Sequence, residues 1–335
     1  MKKVSFIIPV YNATPFIERC LNSIFSLDIP EEEMEIICVD DKSTDDTTSV
    51  ISSIAKKHPS VVLLRHSVNK RQGGGSNTAI KYAHGEYAVF MDQDDEIVKY
   101  DLLSQIDYMR KNDIELMIGR AVCVDEKGNK SYWANYPNET PIVTGPQFFR
   151  DEMINRVAFG AVWIGIYKTE LLRRTEPFVE NMIYEDTDWC YRCMYNAKSV
   201  QYRPVDIYLY HNNPTSSSHN VTAQKLEWRV RLGLRIYFWS QKVENEKEWV
   251  HISSDDFYTW NLRGMSHILK MSIKERFKFY KSFSRDEYEI MKSWPSRYWQ
   301  MKLIQYPVVS QVLLLFLSPA YRIARSIKHF VKRKS

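Results

Sequence analysis

Four short apolar runs, Val4–Val10, 35–39, 61–64 and 87–91, recur through the first hundred residues, and each is followed by a polar cluster. Between them lie segments whose apolar residues fall at three- and four-residue steps: Phe16, Ile17, Cys20, Leu21 and Ile24 within 14–26, and Val50, Ile51 and Ile54 within 45–57. Runs that are apolar throughout, separated by segments of helical period, are the pattern of strands buried on both faces and joined by crossover helices. The pattern predicts an α/β fold with a mostly parallel sheet flanked by helices, and Thr14-Pro15 reads as a helix entry. Residues 114–215 are less periodic; they predict strands at Leu116–Val124 and 130–136, helices at Gly145–Ile154 and 169–173, and a helix opening at Glu185-Asp186. From 221 onward the chain reads as helical, with spans at 225–243, 256–271 and 273–283.

In a parallel sheet ligands bind beyond the carboxyl ends of the strands. The residues there are Pro9-Val10-Tyr11-Asn12, then Asp40-Asp41-Lys42-Ser43, then 69–75 with Gly73-Gly74-Gly75, then Asp92-Gln93-Asp94-Asp95. The last cluster offers hard oxygen donors suited to Mg²⁺ or Mn²⁺, ions that bridge a few protein oxygens to substrate phosphates. The competing reading of both Asp clusters is helix N-capping. The three glycines read either as a plain flexible loop or as the approach to a helix whose first amides face phosphate. No G-x-G-x-x-G follows the first run and no G-x-x-x-x-G-K-[ST] occurs, which removes the dinucleotide and nucleoside-triphosphate loops.

Composition narrows the class. With 335 residues, 44% of them hydrophobic, and 11 glycines, the chain is globular and long enough for two domains. Its five cysteines make no disulfide framework, and Cys190-x-x-Cys193 has no second pair with which to hold zinc. The apolar start is too short for a signal peptide, so the expected location is cytoplasmic. Charge is distributed unevenly: no acidic residue follows Glu289, whereas Lys292, Arg297, Lys302, Arg322, Arg325, Lys328, Lys332, Arg333 and Lys334 are all basic. The uncharged stretch 303–321 is broken by Gln305, Pro307, Gln311 and Pro319, and beyond it Ala320, Ile323, Ala324, Ile327, Phe330 and Val331 share one helical face. That combination predicts a basic amphipathic tail, 303–335, lying on an anionic membrane surface rather than spanning it or binding nucleic acid; a helix packed back on the protein is the alternative.

IIPVYN at 7–12, VDDKSTDDT at 39–47, QGGGSNTAIKYAHGEYAVFMDQDD at 72–95 and YEDTDWCYR at 184–192 resemble, in order, the signatures of family-2 glycosyltransferases with the GT-A fold. The resemblance implies a GT-A domain over 1–220, with a nucleotide-sugar half at 1–95 and an acceptor half at 96–220, and a helical C-terminal region over 221–335. It also implies a nucleotide-diphospho-sugar donor (UDP first), a divalent cation, and inverting transfer to a glycan or lipid-linked acceptor. By position, Pro9, Tyr11 and Asn12 would flank the base and Asp41 its pyrimidine edge. Arg71 and Asn77 would contact the nucleotide, and Asp92 with Gln93 the ribose or donor sugar. Asp94 would hold the metal, with His211 on the metal or diphosphate. Asp186, beside Glu185, would be the catalytic base, and Trp163 and Tyr167 would lie near the acceptor. Two departures stand out: Lys42 replaces the family's usual Gly, and Ser76 replaces an Arg before Asn77. They keep open an alternative in which the chain is a catalytically idle nucleotide-sugar-binding or membrane-scaffold protein.

Overall fold

The four apolar runs are parallel neighbours in one sheet. In the computed structural model, which describes residues 2–125, 128–133, 138–154, 160–211, 222–240, 242–243 and 271–293, the strands are β1 (Val4–Val10), β2 (Met34–Asp40), β3 (Val61–Arg65), β4 (Tyr87–Phe90), β5 (Glu96–Ile97), β6 (Leu116–Val124), β7 (Lys130–Trp133), β8 (Gly165–Lys168) and β9 (Val200–His211). They lie in the order β3-β2-β1-β4-β8-β6-β9-β5, with β7 on β6. The pairs β1–β2, β1–β4, β2–β3 and β6–β9 are parallel, whereas β8 is antiparallel to both β4 and β6. The sheet carries α1 (Ile17–Phe25), α2 (Thr47–Ala55), α3 (Arg71–Tyr82), α4 (Leu102–Lys111), α5 (Gly145–Ile154), α6 (Thr169–Arg174) and α7 (Glu185–Asn196).

Burial explains why the first half reads so directly. Every residue of β2 is buried, and in α1 the buried Ile17, Cys20, Leu21 and Ile24 make one stripe against the sheet. The glycine run is not a loop: Gly73, Gly74 and Gly75 lie in the first turns of α3. A Cβ on Gly73 would stand 3.0 Å from Glu185 Cγ and from the Val179 carbonyl, and one on Gly75 would stand 2.8 Å from Pro9 Cβ. Glycine here lets a helix approach β1 and α7 closely, which outweighs its poor helix propensity.

Lys42 does not disturb its turn. It takes φ 68°, the left-handed conformation that glycine adopts freely. A side chain in that region costs about 1 kcal/mol. Lys42→Gly is therefore expected to raise the unfolding free energy by up to about 1 kcal/mol in urea titration; a fall would mean that the lysine side chain makes a contact worth more than the strain.

The chain divides into two compact units, Met1–Ser216 and Ser217–Ser335. In the second, α8 (Ala223–Ser240), α9 (Ile273–Lys281) and α10 (Arg285–Ser293) are described. Ser272 and Glu275 form a reciprocal cap on α9, and Arg231 of α8 donates to the Ser282 carbonyl at 2.6 Å and reaches Glu287 at 3.4 Å. The predicted helix at 256–271 and the tail 303–335 lie outside the described residues, apart from Met271. Among the described residues, no helix is long and apolar enough to cross a membrane.

Candidate active site

The polar clusters after β1, β2 and β4 and the start of α3 meet at the carboxyl edge of the sheet. Asn12, at φ 50°, joins the first two: its main-chain N–H donates to Ser43 Oγ at 2.9 Å, and its Oδ1 accepts from Thr44 N at 2.9 Å. Gln93 joins the first and last. Its Oε1 accepts from Tyr11 N at 2.7 Å and its Nε2 donates to Tyr11 O at 3.1 Å, leaving the Tyr11 ring half exposed. Gln93 thus holds the loop that presents Tyr11. Asn77 is engaged in the same way, its amide bonding both the N–H and the carbonyl of Phe178 at 2.8 Å. It fixes the chain leading to α7 against α3.

Asp41 is 2% exposed. Its Oδ1 meets His66 Nδ1 and accepts from Lys70 N, each at 2.8 Å, while its buried Oδ2 has no protein partner. A buried carboxylate oxygen without a donor is costly unless a ligand supplies one. Lys70 pairs with Glu180 at 3.1 Å. Arg71, at φ 62°, places its charge where it helps to hold down the Glu185 carboxyl.

After β4 the four-residue cluster divides its labour. Asp95 is buried, accepting from Tyr208 Oη at 2.9 Å and from His211 N at 2.8 Å; burial pushes it up to about 7. The Tyr208 hydroxyl in turn accepts the Asp92 N–H at 3.0 Å. Asp95 is therefore the internal tie of the loop. Asp92 accepts from Gln72 Nε2 at 2.5 Å, and burial, then the charges of Asp95, Asp94 and Asp186, raise it well above the carboxylate range. The main-chain carbonyl of Asp94 is held by Arg19 Nη2 at 2.5 Å; Arg19 also reaches Glu96 at 3.3 Å, and Glu96 accepts the His211 ring at 2.7 Å.

Opposite stands the start of α7. Tyr184, at φ 68°, turns the chain sharply into the helix. Glu185 is buried against Gly73; burial and then the neighbouring Asp186 push it up to about 8. Asp186 is half-buried, accepts from Thr187 N at 2.8 Å, and is pushed by burial up to about 6. The next acid, Asp188, is buried and locked to Arg192 at 2.8 Å. Trp163 is buried and stacks on Tyr208 at 4.4 Å, and Tyr167 is a core residue whose hydroxyl donates to the Val162 carbonyl at 2.9 Å. Arg19, Gln72 and Tyr208 were not anticipated from sequence. Gln72 lies inside the QGGGSN motif and Tyr208 opens the aromatic segment YLYH at 208–211, so both stand where a motif could have drawn attention, whereas Arg19 does not.

The solved structure of S. aureus TarS residues 1–349 in complex with UDP-GlcNAc superposes with a TM-score of 0.69 at 20% identity, covering 96% of this chain and 92% of that one. A mannosyltransferase from Pyrobaculum calidifontis, in complex with GDP-Man and Mn²⁺, gives a TM-score of 0.51 at 17% identity, covering 93% and 85%. The architecture is therefore the GT-A fold. A poly(ribitol-phosphate) beta-glucosyltransferase from Bacillus spizizenii is 39% identical over 127 residues, which are 38% of this chain and 20% of that protein. An uncharacterized glycosyltransferase of Escherichia coli, YibD, is 28% identical over 235 residues, 68% of this chain and 67% of that one. Staphylococcus aureus TarS, a poly(ribitol-phosphate) beta-N-acetylglucosaminyltransferase, is 26% identical over 213 residues, 63% of this chain and 35% of that one. The chain thus spans about a fifth of the Bacillus enzyme and about a third of TarS. The profile of Glycosyl transferase family 2 matches residues 5–175, just over half the chain and all the strand-end clusters from Tyr11 to Asp95, and on that match, with the fold and the carboxylate edge agreeing, the chain belongs to glycosyl transferase family 2.

Proposed function

We propose that the chain transfers a sugar from a UDP-sugar to a hydroxyl of a surface-polysaccharide or lipid-linked acceptor, with inversion at the anomeric carbon. The observation that carries this reading is that α3 links the two carboxylate stations: Gln72 donates to Asp92 at 2.5 Å, and the adjacent Gly73 packs against Glu185, the residue next to Asp186. One carboxylate station serves the donor and the other the acceptor hydroxyl. The acceptor oxygen attacks the anomeric carbon, the bond to the diphosphate oxygen breaks, and Asp186 takes the hydroxyl proton. Burial raises both carboxyls, and Glu185 is the more deeply buried of the pair, which favours Asp186 as the ionised partner and the base.

A divalent cation fits the donor side. Among the described residues no three His, Cys, Asp or Glu side chains form a complete cage. One carboxylate completed by substrate phosphates is nevertheless the set that Mg²⁺ or Mn²⁺ accepts, and a cation there would favour the ionised form of carboxyls that burial, and then their neighbours' charges, push up. Asp94 would hold the ion, with His211 beside it on Glu96. Bound there, the ion would supply Lewis-acid neutralisation of the leaving diphosphate. The names of the relatives and the UDP-GlcNAc held by TarS support a UDP-sugar donor and a polymeric acceptor. The basic tail would keep the enzyme at the cytoplasmic face of the membrane, where such acceptors are built. A panel of nucleotide sugars with Mn²⁺ or Mg²⁺ tests the reading: slow acceptor-free hydrolysis of a UDP-sugar is expected, and none for any sugar would overturn it.

Asp41 sets the base. Uracil presents an N3–H donor, which the uncovered Oδ2 would accept. In Asp41→Asn the amide carbonyl must stay where His66 and the Lys70 N–H bind, so the NH₂ turns toward the base and meets another donor. UDP affinity should fall about 10- to 100-fold, the worth of a hydrogen bond to a charged group, while CDP, whose N3 accepts, should gain relative to UDP. Calorimetry with both nucleotides reads the switch; equal losses for the two would remove Asp41 from base recognition.

A further inference from the structure

An aromatic stack runs from the donor loop to the surface. Tyr208, whose hydroxyl ties Asp92 to Asp95, lies parallel to Trp163 at 4.4 Å and 18°. Trp163 lies parallel to Trp133 at 5.4 Å and 17°, and Tyr210 is parallel to both, at 2° to Trp133 and 18° to Trp163. Trp163 is buried, but Trp133, on the edge strand β7, is 38% exposed. The short turn Val162–Ile164 that carries Trp163 also packs against α7, whose first turn holds Asp186. Among the described residues the stack therefore joins both carboxylate stations to one outward-facing indole.

Aromatic rings of the core pack in both ways, Phe90 edge to face with Tyr167, Phe178 and Trp189, and Phe178 parallel to Trp189 at 4.4 Å and 9°, but all four of these rings are buried. Parallel rings fixed from behind, ending in an exposed tryptophan, instead offer a rigid flat face at little entropic cost. The flat occupant chemically suited to such a face is a pyranose ring, whose axial C–H groups form an apolar surface.

Resting on the transferase reading above, we propose that Trp133, backed by Trp163 and Tyr210, is an acceptor subsite that takes a pyranose unit next to the one receiving the sugar. The acceptor is then a pyranose glycan and not a linear alditol phosphate, the polymer named for several relatives. A ribitol-phosphate chain has no ring face, and each of its units carries a negative charge. The arginines of the neighbouring strands are already paired, Arg120 with Asp206 at 2.7 Å and Arg203 with Glu139 at 3.1 Å.

The test uses the full chain with saturating UDP and Mn²⁺, probed by an array of pyranose oligosaccharides and by a synthetic ribitol-phosphate oligomer, with affinities then measured by calorimetry. At least one pyranose oligosaccharide should bind, the ribitol-phosphate oligomer should not, and Trp133→Ala should weaken the glycan about tenfold or more while UDP affinity stays within twofold. Trp133→Phe should recover most of the loss, since it restores a ring face without the indole N–H. Glycan binding indifferent to Trp133, preference for the ribitol-phosphate oligomer, or no pyranose bound while UDP binds would each overturn the subsite. Absence of UDP binding in the unaltered protein would instead overturn the donor reading.

Discussion

Replacing Asp186 by asparagine is expected to lower turnover by roughly 10²–10⁴-fold, the usual worth of a general base, with UDP affinity nearly unchanged. The amide keeps the shape and the bond from Thr187 N, so only the proton acceptor is lost. The same change should stabilise the fold. Burial lifts the Asp186 pKa to about 6, above that of an exposed aspartate, so ionising it in the folded state opposes folding. The sign follows from linkage. For a carboxyl raised on folding, the penalty is absent below the unfolded pKa and complete above the folded one. Asp186→Asn should therefore gain on the order of 1–3 kcal/mol at pH 7.5 and almost nothing at pH 4. In the unaltered enzyme, kcat/KM should decline as pH drops through about 6, where Asp186 takes up its proton. Turnover within a few-fold of wild type would move the base to Glu185, because Asp188 is locked to Arg192.

What the sequence made legible follows from burial. β1, β2 and β4 are short, buried strands whose apolar runs leave little ambiguity, whereas β3 is the edge strand, with Val62 exposed, and reads as a strand from its apolar residues without being covered on both faces. β9 was harder: its middle residues are half-buried, so it shows neither a continuous apolar run nor strict alternation. The three glycines of α3 were ambiguous because propensity opposes a helix there, and only the positions of Pro9 and Glu185 in space reveal why a helix needs them. Polar side chains posed a different problem. Asn77 and Gln93 stand in motifs where an amide looks ready for a ligand, yet each grips main chain, across 101 and 82 residues of sequence respectively. An amide bonds a ligand or a distant peptide with the same atoms, and a linear sequence does not say which lies in reach. The Asp92–Asp95 cluster shows the same limit: four adjacent polar residues divide into an internal tie (Asp95), a clamp on the Tyr11 main chain (Gln93), a carboxylate bonded to Gln72 (Asp92) and Asp94.

That division makes Asp94→Ala the sharpest test of the donor side. The substitution removes the carboxylate but not the main-chain carbonyl that Arg19 holds, so the Arg19–Glu96–His211 chain should survive it. Repulsion within the cluster should also relax, since the Asp94 charge contributes to raising both Asp92 and Asp95. Melting temperature is therefore expected to hold or rise. Turnover, by contrast, should fall by about 10²–10³-fold, the typical loss on removing one group that stabilises charge on the leaving diphosphate. Activity alone would not separate a metal ligand from a residue that merely shapes the loop, so the deciding measurement is the effect of Mn²⁺ on UDP affinity. In the unaltered protein Mn²⁺ should tighten UDP binding, and in Asp94→Ala the affinities with and without the ion should converge. Asp95→Asn provides the contrast: its loss falls on Tyr208 and His211 N, so it should cost stability and leave the Mn²⁺ effect on UDP in place. If Mn²⁺ continues to tighten UDP on Asp94→Ala as it does on the unaltered chain, the ion is held elsewhere on this edge, with Asp92 the next carboxylate to replace.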